Sequence, residues 1–220
     1  MWHWPNAWLR NTATRRETDP LARLIIVRHG NTFDTGDTPT RVGARTDLPL
    51  STSGARQAAA LATHFRDTGF MAAFCSPLLR TRQTARTILA GRAGAPALLI
   101  LPFLTEIDYG PDENQTEDAV IARIGAEAID AWDSDAVPPP GWHVDPAALR
   151  AAWADLLARA AELGSDANVL IVTSNGIARF LPDVVDEAPA GLARKLKTGA
   201  WGSVVVDRTG TRIVDWNVRP

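Results

Sequence analysis

Cysteine is almost missing: Cys75 stands alone in 220 residues. That excludes an internal disulfide, a multi-cysteine zinc site and an iron–sulfur cluster. No apolar run approaches ~18 residues, so no membrane span is expected. Excess charge is scarce as well, because 23 Lys+Arg against 25 Asp+Glu leave −2. Such a balance gives no electrostatic case for nucleic acid or an anionic membrane. Lysine hardly features, with Lys195 and Lys197 the two examples, so the cations are nearly all guanidinium groups. These suit forked contacts to anions. The first twenty residues lack a continuous apolar stretch and an Ala-x-Ala-like cleavage site, so they do not read as a signal peptide. A cytoplasmic protein is the expectation.

The length fits a single domain at 21–220 that needs no disulfide or metal staple. Trp2, Trp4 and Trp8 mark residues 1–20 as an arm. It reads as packing on the body, with a flap over a site or a subunit contact as the alternative, which leaves a homodimer open. Leu24–Val27 (LIIV) is apolar without alternation, as a buried parallel strand is. A helix is expected over about Gly54–Arg66, with Ser51 and Ser53 as candidate caps. A strand at Phe70–Cys75 and a helix from about Leu78 follow, then an apolar run at Leu98–Leu101. Residues 107–135 hold nine acids and one base, Arg123, and the pattern predicts one helix over about Glu117–Trp132. After a Pro-rich loop, a helix is expected at about Pro146–Leu163, a strand at Val169–Thr173, and two last strands at Ser203–Val206 and Arg212–Trp216. Alternating short strands and helices predict a three-layer α/β/α fold with a mostly parallel sheet. The stretch 107–165 reads as an acidic, largely helical cap insertion.

Ligands of such sheets bind beyond the carboxyl ends of the strands. Three ends are chemically loaded: Arg28-His29-Gly30-Asn31-Thr32, Cys75-Ser76-Pro77-Leu78-Leu79-Arg80 and Thr173-Ser174-Asn175-Gly176. Arg28 and Arg80 offer forked donors to phosphate, and a neutral His29 imidazole can attack phosphorus. Nearby guanidinium groups favour that neutral form. Gly30 permits a close backbone approach, and Thr32 and Thr35 are hydroxyl donors. No cofactor or metal is called for, because the arginines supply the positive charge.

In order along the chain, VRHGNT, RTDLPLSTSGARQA, SPLLRTRQTA, LTEIDYG and VTSNGIARF resemble the signatures of the histidine phosphatase superfamily, which is phosphoglycerate-mutase-like. The resemblance covers about Leu24–Val206. It implies a phosphohistidine at His29, discharged by water, and a small phosphorylated substrate. It implies further that Glu106 donates a proton to the leaving oxygen and later helps activate water, and it places Arg45 near the substrate. Asn175 matches the family's second histidine. It can give a neutral hydrogen bond but no charge, and losing a charged donor costs roughly ~3 kcal/mol, or ~10²-fold in rate. Backbone N–H groups near Gly176 are expected to compensate in part, and His143 is the histidine open to stand in. The expected function is a phosphatase, with reduced activity on account of Asn175. A phospho-ligand-binding pseudoenzyme is the alternative, and a phosphoglycerate mutase comes last. The segment after Glu106 lacks the cations that a doubly anionic substrate would need, so an ester with a neutral or cationic far end is expected. Arg45 is expected to pair with Asp47, and Cys75 to be buried.

Overall fold

The run at 24–27 forms the middle of β1 (Ala22–Arg28), and its side chains are covered on both faces, as the absence of alternation requires. The computed structural model describes residues 22–164 and 167–220; the tryptophan-rich arm lies outside them. Next come α1 (Thr52–His64), β2 (Phe70–Cys75), α2 (Leu79–Leu89) and β3 (Leu98–Ile100). After them come α3 (Glu117–Ile124), α4 (Ala126–Asp135), α5 (Pro146–Ala161) and β4 (Ala167–Thr173). The chain finishes with a one-turn α6 (Asn175–Ala178), β5 (Trp201–Asp207) and β6 (Gly210–Val218). The strands form one sheet in the order β3-β2-β4-β1-β5-β6. The first four are parallel, and β5 and β6 add an antiparallel ribbon.

Successive side chains of β1 feed two cores. Leu24 and Ile26 join Trp153, Leu156 and Leu157 of α5, while Ile25 and Val27 join Leu61 of α1 and Ile88 of α2. Helices therefore cover both faces, and the α/β/α layering expected from the sequence is present. The Ser51 side chain caps α1 by accepting from Gly54 N at 3.2 Å, whereas Ser53 lies inside the helix. Asp34 adds acceptors for the N–H groups of Thr52 and Ser53 at 3.0 and 2.8 Å.

The single helix predicted at 117–132 is two helices. Gly125, at φ +83°, closes α3, and α4 starts anew beyond it. The 107–165 stretch is not uniform in what it covers: α5, capped by Asp145, packs on the sheet. Its apolar side carries Trp153 and Leu156, Leu157 and Ala160, which is the helical spacing of a core face. No described helix is long and apolar enough to cross a membrane.

Register fixes where the loaded ends meet. Thr173 at the end of β4 pairs with Arg28 at the end of β1, and Cys75 at the end of β2 pairs with Val172. The three segments that follow these strands consequently leave the sheet side by side.

Candidate active site

His29 follows β1 and is held at both ends of its peptide. Its N–H donates to the Thr173 carbonyl at 3.1 Å, and its carbonyl accepts from Gly199 N at 3.1 Å. The ring is fixed too. Nδ1 lies 2.7 Å from the Gly30 carbonyl oxygen, which can only accept, so Nδ1 carries the proton. Arg80 Nε donates to His29 Nε2 at 3.2 Å, so that nitrogen is unprotonated and its lone pair is engaged by Arg80. Burial, reinforced by the Arg80 and Arg28 guanidinium groups, holds the imidazole well below its ordinary pKa. The ring is therefore neutral, with its proton on Nδ1.

Arg80 is 0% exposed and belongs to α2. Its Nη1 donates to Thr46 O at 2.9 Å and its Nη2 to Val42 O and Gly43 O at 3.3 and 3.2 Å. One guanidinium thus ties the 42–46 loop to the histidine. Arg28 donates through Nη1 to the Leu196 carbonyl at 2.8 Å, and its Nε is buried without a partner. The same residue, Leu196, donates its own N–H to Asn175 Oδ1 at 2.8 Å. That bond orients the amide, leaving Asn175 Nδ2 as a donor on the wall of the cleft it shares with His29 and Glu106.

Glu106 is buried just before the 107–113 turn. Its carboxylate accepts from Ile107 N at 3.0 Å and from Gly176 N at 3.2 Å. A Cβ on Gly176 would come within 2.0 Å of Glu106 Oε1, so glycine is required for the carboxylate to sit there. The Gly176 N–H is thereby used on Glu106, and it is not the free phosphate donor expected from the sequence. Gly30 does permit a close backbone approach, and that approach is to the first turn of α1. A Cβ there would meet the Gly54 carbonyl oxygen at 2.4 Å, so it serves packing of β1 against α1, and its N–H donates to Thr84 Oγ1 at 3.2 Å.

Thr32 lines the cleft, of about 610 Å³, whereas Thr35 lies in an exposed turn outside it. Arg45 is also outside. It binds Asp108 Oδ1 at 2.9 Å and not Asp47, which instead caps α2 by accepting from Leu79 N at 2.6 Å. A local pair loses because Asp47 offers the unsatisfied N–H of a helix start a charged acceptor. His143 points its Nδ1 at Asp108 Oδ2, 3.1 Å away, with 72% of its side chain exposed, so it does not replace a second histidine. Cys75 is buried, and burial pushes its thiol up to about 11. Among the described residues no group of three or more metal-ligating side chains gathers.

The sequence reading missed Arg41, Arg179 and Lys195, which line the same cleft. The cations lacking after Glu106 arrive from distant segments. Arg179 stands four residues beyond Asn175, one helical turn on, and that spacing was a usable signal. Its guanidinium stacks 4.0 Å from the Trp132 ring centroid and donates to the Trp132 carbonyl and to Asp133. Arg41 pairs with Glu117 and lies 4.8 Å from the Trp142 ring centroid and 5.3 Å from that of Tyr109.

The pattern of the histidine phosphatase superfamily (branch 1) matches residues 24–219. The chain is similar to the adenosylcobalamin/alpha-ribazole phosphatase of Salmonella typhimurium, with 31% identity over 193 residues, 83% of this chain and 89% of that one. Among solved structures it resembles the alpha-ribazole phosphatase of Shigella flexneri, with TM-score 0.67, 25% identity, and 90% and 96% of the two chains covered. The phosphoglycerate mutase of Bacillus anthracis shares the fold at TM-score 0.73, with 22% identity and coverage of 92% and 96%.

Proposed function

The chain belongs to the histidine phosphatase superfamily, and from that premise we propose that it hydrolyses a small phosphomonoester through a phosphohistidine at His29. The observation that carries this reading is the imidazole itself, fixed by Gly30 with Nε2 unprotonated beside two arginines.

The reaction runs in two displacements. His29 Nε2 attacks phosphorus as the ester P–O bond breaks, and Glu106 gives its proton to the departing oxygen. Water then attacks the phosphohistidine; the N–P bond breaks, Glu106 takes a proton back, and phosphate leaves. Arg28 and the Asn175 amide hold the phosphoryl oxygens while charge spreads over them, and Arg80, whose nitrogens are engaged by His29 and the 42–46 loop and which does not line the cleft, positions the imidazole. Asn175 contributes a neutral donor, already oriented by Leu196, in place of a charged one.

The test is hydrolysis of phenyl phosphate by the wild type beside His29→Ala. We expect turnover that vanishes in the variant and an acid-labile phosphoenzyme on rapid quenching. Turnover equal in both proteins would overturn the reading in favour of a phospho-ligand-binding protein. Interconversion of 2- and 3-phosphoglycerate would replace hydrolysis with a mutase activity. The relatives' alpha-ribazole phosphate is a reasonable first natural-type ester to try, since Phe33, Ile129 and Trp132 give the cleft an apolar wall.

A further inference from the structure

Gln57, in the motif RTDLPLSTSGARQA, has no part in the two displacements, yet it acts on the nucleophile through the backbone. It stands in the second turn of α1, and the N–H of Asn31 donates to its Oε1 at 2.8 Å. A backbone N–H can only donate, so it is the oxygen of the Gln57 amide that faces it. That N–H and the Gly30 carbonyl belong to one planar trans peptide group and point to opposite sides of it. Holding the first therefore aims the second. The second is the acceptor 2.7 Å from His29 Nδ1, and such a bond decides which ring nitrogen carries the proton. The other groups of Asn31 are engaged as well: its carbonyl accepts from Ser51 N at 2.9 Å, its Nδ2 donates to Ser53 Oγ at 3.1 Å, and its Oδ1 accepts from Thr198 Oγ1. Those bonds act beyond the Asn31 Cα, whereas Gln57 acts on the peptide that carries the Gly30 carbonyl. Gln57 is itself confined. A Cβ on Gly199 would come within 2.8 Å of its Cβ and 3.0 Å of its Cγ and Cδ, and Gly199 N is the donor to the His29 carbonyl.

We propose that Gln57 is a positioning residue for phosphoryl transfer: through the Gly30–Asn31 peptide it holds the proton on His29 Nδ1 and so leaves Nε2 as the attacking nitrogen. The proposal rests on the reading of His29 as the nucleophile. Arg80 Nε supports the same tautomer from the other side of the ring. To attack phosphorus, however, Nε2 has to give up that contact, and the Gly30 carbonyl is then the support that remains. α1 is thus more than a cover for the sheet, because its Ser51, Ser53 and Gln57 hold the loop that carries the acceptor.

Proton NMR of the full chain reads the Nδ1–H bond apart from turnover. His29 Nδ1–H should give a downfield resonance, absent from His29→Gln, that exchanges slowly with water. Gln57→Met removes the acceptor at nearly constant length. We expect the resonance to move upfield and its exchange to quicken about tenfold, the size of one hydrogen bond. Gln57→Asn is polar and one methylene shorter, so it withdraws the acceptor and should do the same; it decides the matter if Gln57→Met does not fold. Gln57→Glu keeps an acceptor before Asn31 N–H and should restore slow exchange, a rescue that a loss of packing alone would not show. On phenyl phosphate, kcat of Gln57→Met or Gln57→Asn should fall about tenfold with KM little changed, because Arg28 and Asn175 are untouched. A wild-type chain without the resonance, a resonance unchanged in the Met and Asn variants, an equal loss in Gln57→Glu, or an undiminished kcat beside a weakened bond would overturn the proposal. His29-dependent hydrolysis would stand even then. Conversely, a Gln57-dependent Nδ1–H in a chain that hydrolyses nothing would retain the hold on His29 and remove the phosphatase reading.

Discussion

At the scale of single residues, the site depends on which atom of each group is already engaged. Asn175 is the sharpest case, because its oxygen is used by Leu196 N and its Nδ2 is the donor left for the cleft. Asn175→Asp keeps the shape and the Leu196 bond but replaces the donor with an acceptor and adds negative charge. We expect kcat on phenyl phosphate to fall by at least about 100-fold with thermal stability nearly unchanged. Gly176→Ala acts on Glu106, whose Oε1 would lie 2.0 Å from the new Cβ. In the proposed mechanism Glu106 is the proton donor, and displacing it matters most for poor leaving groups, so alkyl phosphates should lose far more rate than aryl phosphates. His29 gives a pH prediction. Its folded-state pKa lies well below 6.5, chiefly through burial, so the nucleophile stays neutral on the acid side of that value. The pH profile of kcat/KM should therefore show no loss near pH 6.5, where an ordinary imidazole titrates. Arg28, His29, Arg80, Glu106 and Asn175 were legible in the sequence because short motifs at strand ends carried them. Arg41 and the Leu196 peptide were not, since one is held by contacts distant in sequence and the other acts through its backbone, to which residue type is blind.

At the scale of elements, periodicity located the strands and long helices well, because burial enforces it. β2 and α5 lie within two residues of their expected bounds. The misjudged element was the helix at 117–132, where apolar spacing continues in phase across Gly125 and hides the break. At φ +83° a side chain is strained whatever space surrounds it, and no atom lies within 4 Å of a Cβ at Gly125. Gly125→Ala should thus report backbone strain alone. We expect a loss of about 1 kcal/mol in urea unfolding, with phenyl phosphate turnover little changed. α6 lasts one turn before a tighter turn at Leu181–Asp183. Its brevity puts Arg179 at the helix's end, free to reach Trp132 and Asp133 on α4.

At the scale of the whole molecule, the buried imidazole also links folding to pH. On unfolding, His29 regains a pKa near 6.5, so below that value the unfolded chain binds a proton that the folded chain does not. Stability must then fall as pH drops through this window, and the urea midpoint of His29→Gln should fall less steeply there. Asp112, Asp133 and Asp207 act in the same direction at lower pH. Their partners hold them below the usual carboxylate range, so their stabilisation is lost as acid protonates them. The sheet order has a consequence for synthesis. β1, which leads into His29, is made before every other described strand, yet both its neighbours, β4 and β5, are made after β2 and β3. Ala22 must wait for Ala167 and Val206 before its strand has a partner on either side. His29, just beyond that strand, thus finds its place only through pairings distant in sequence, and until they form β1 is an unpaired apolar strand.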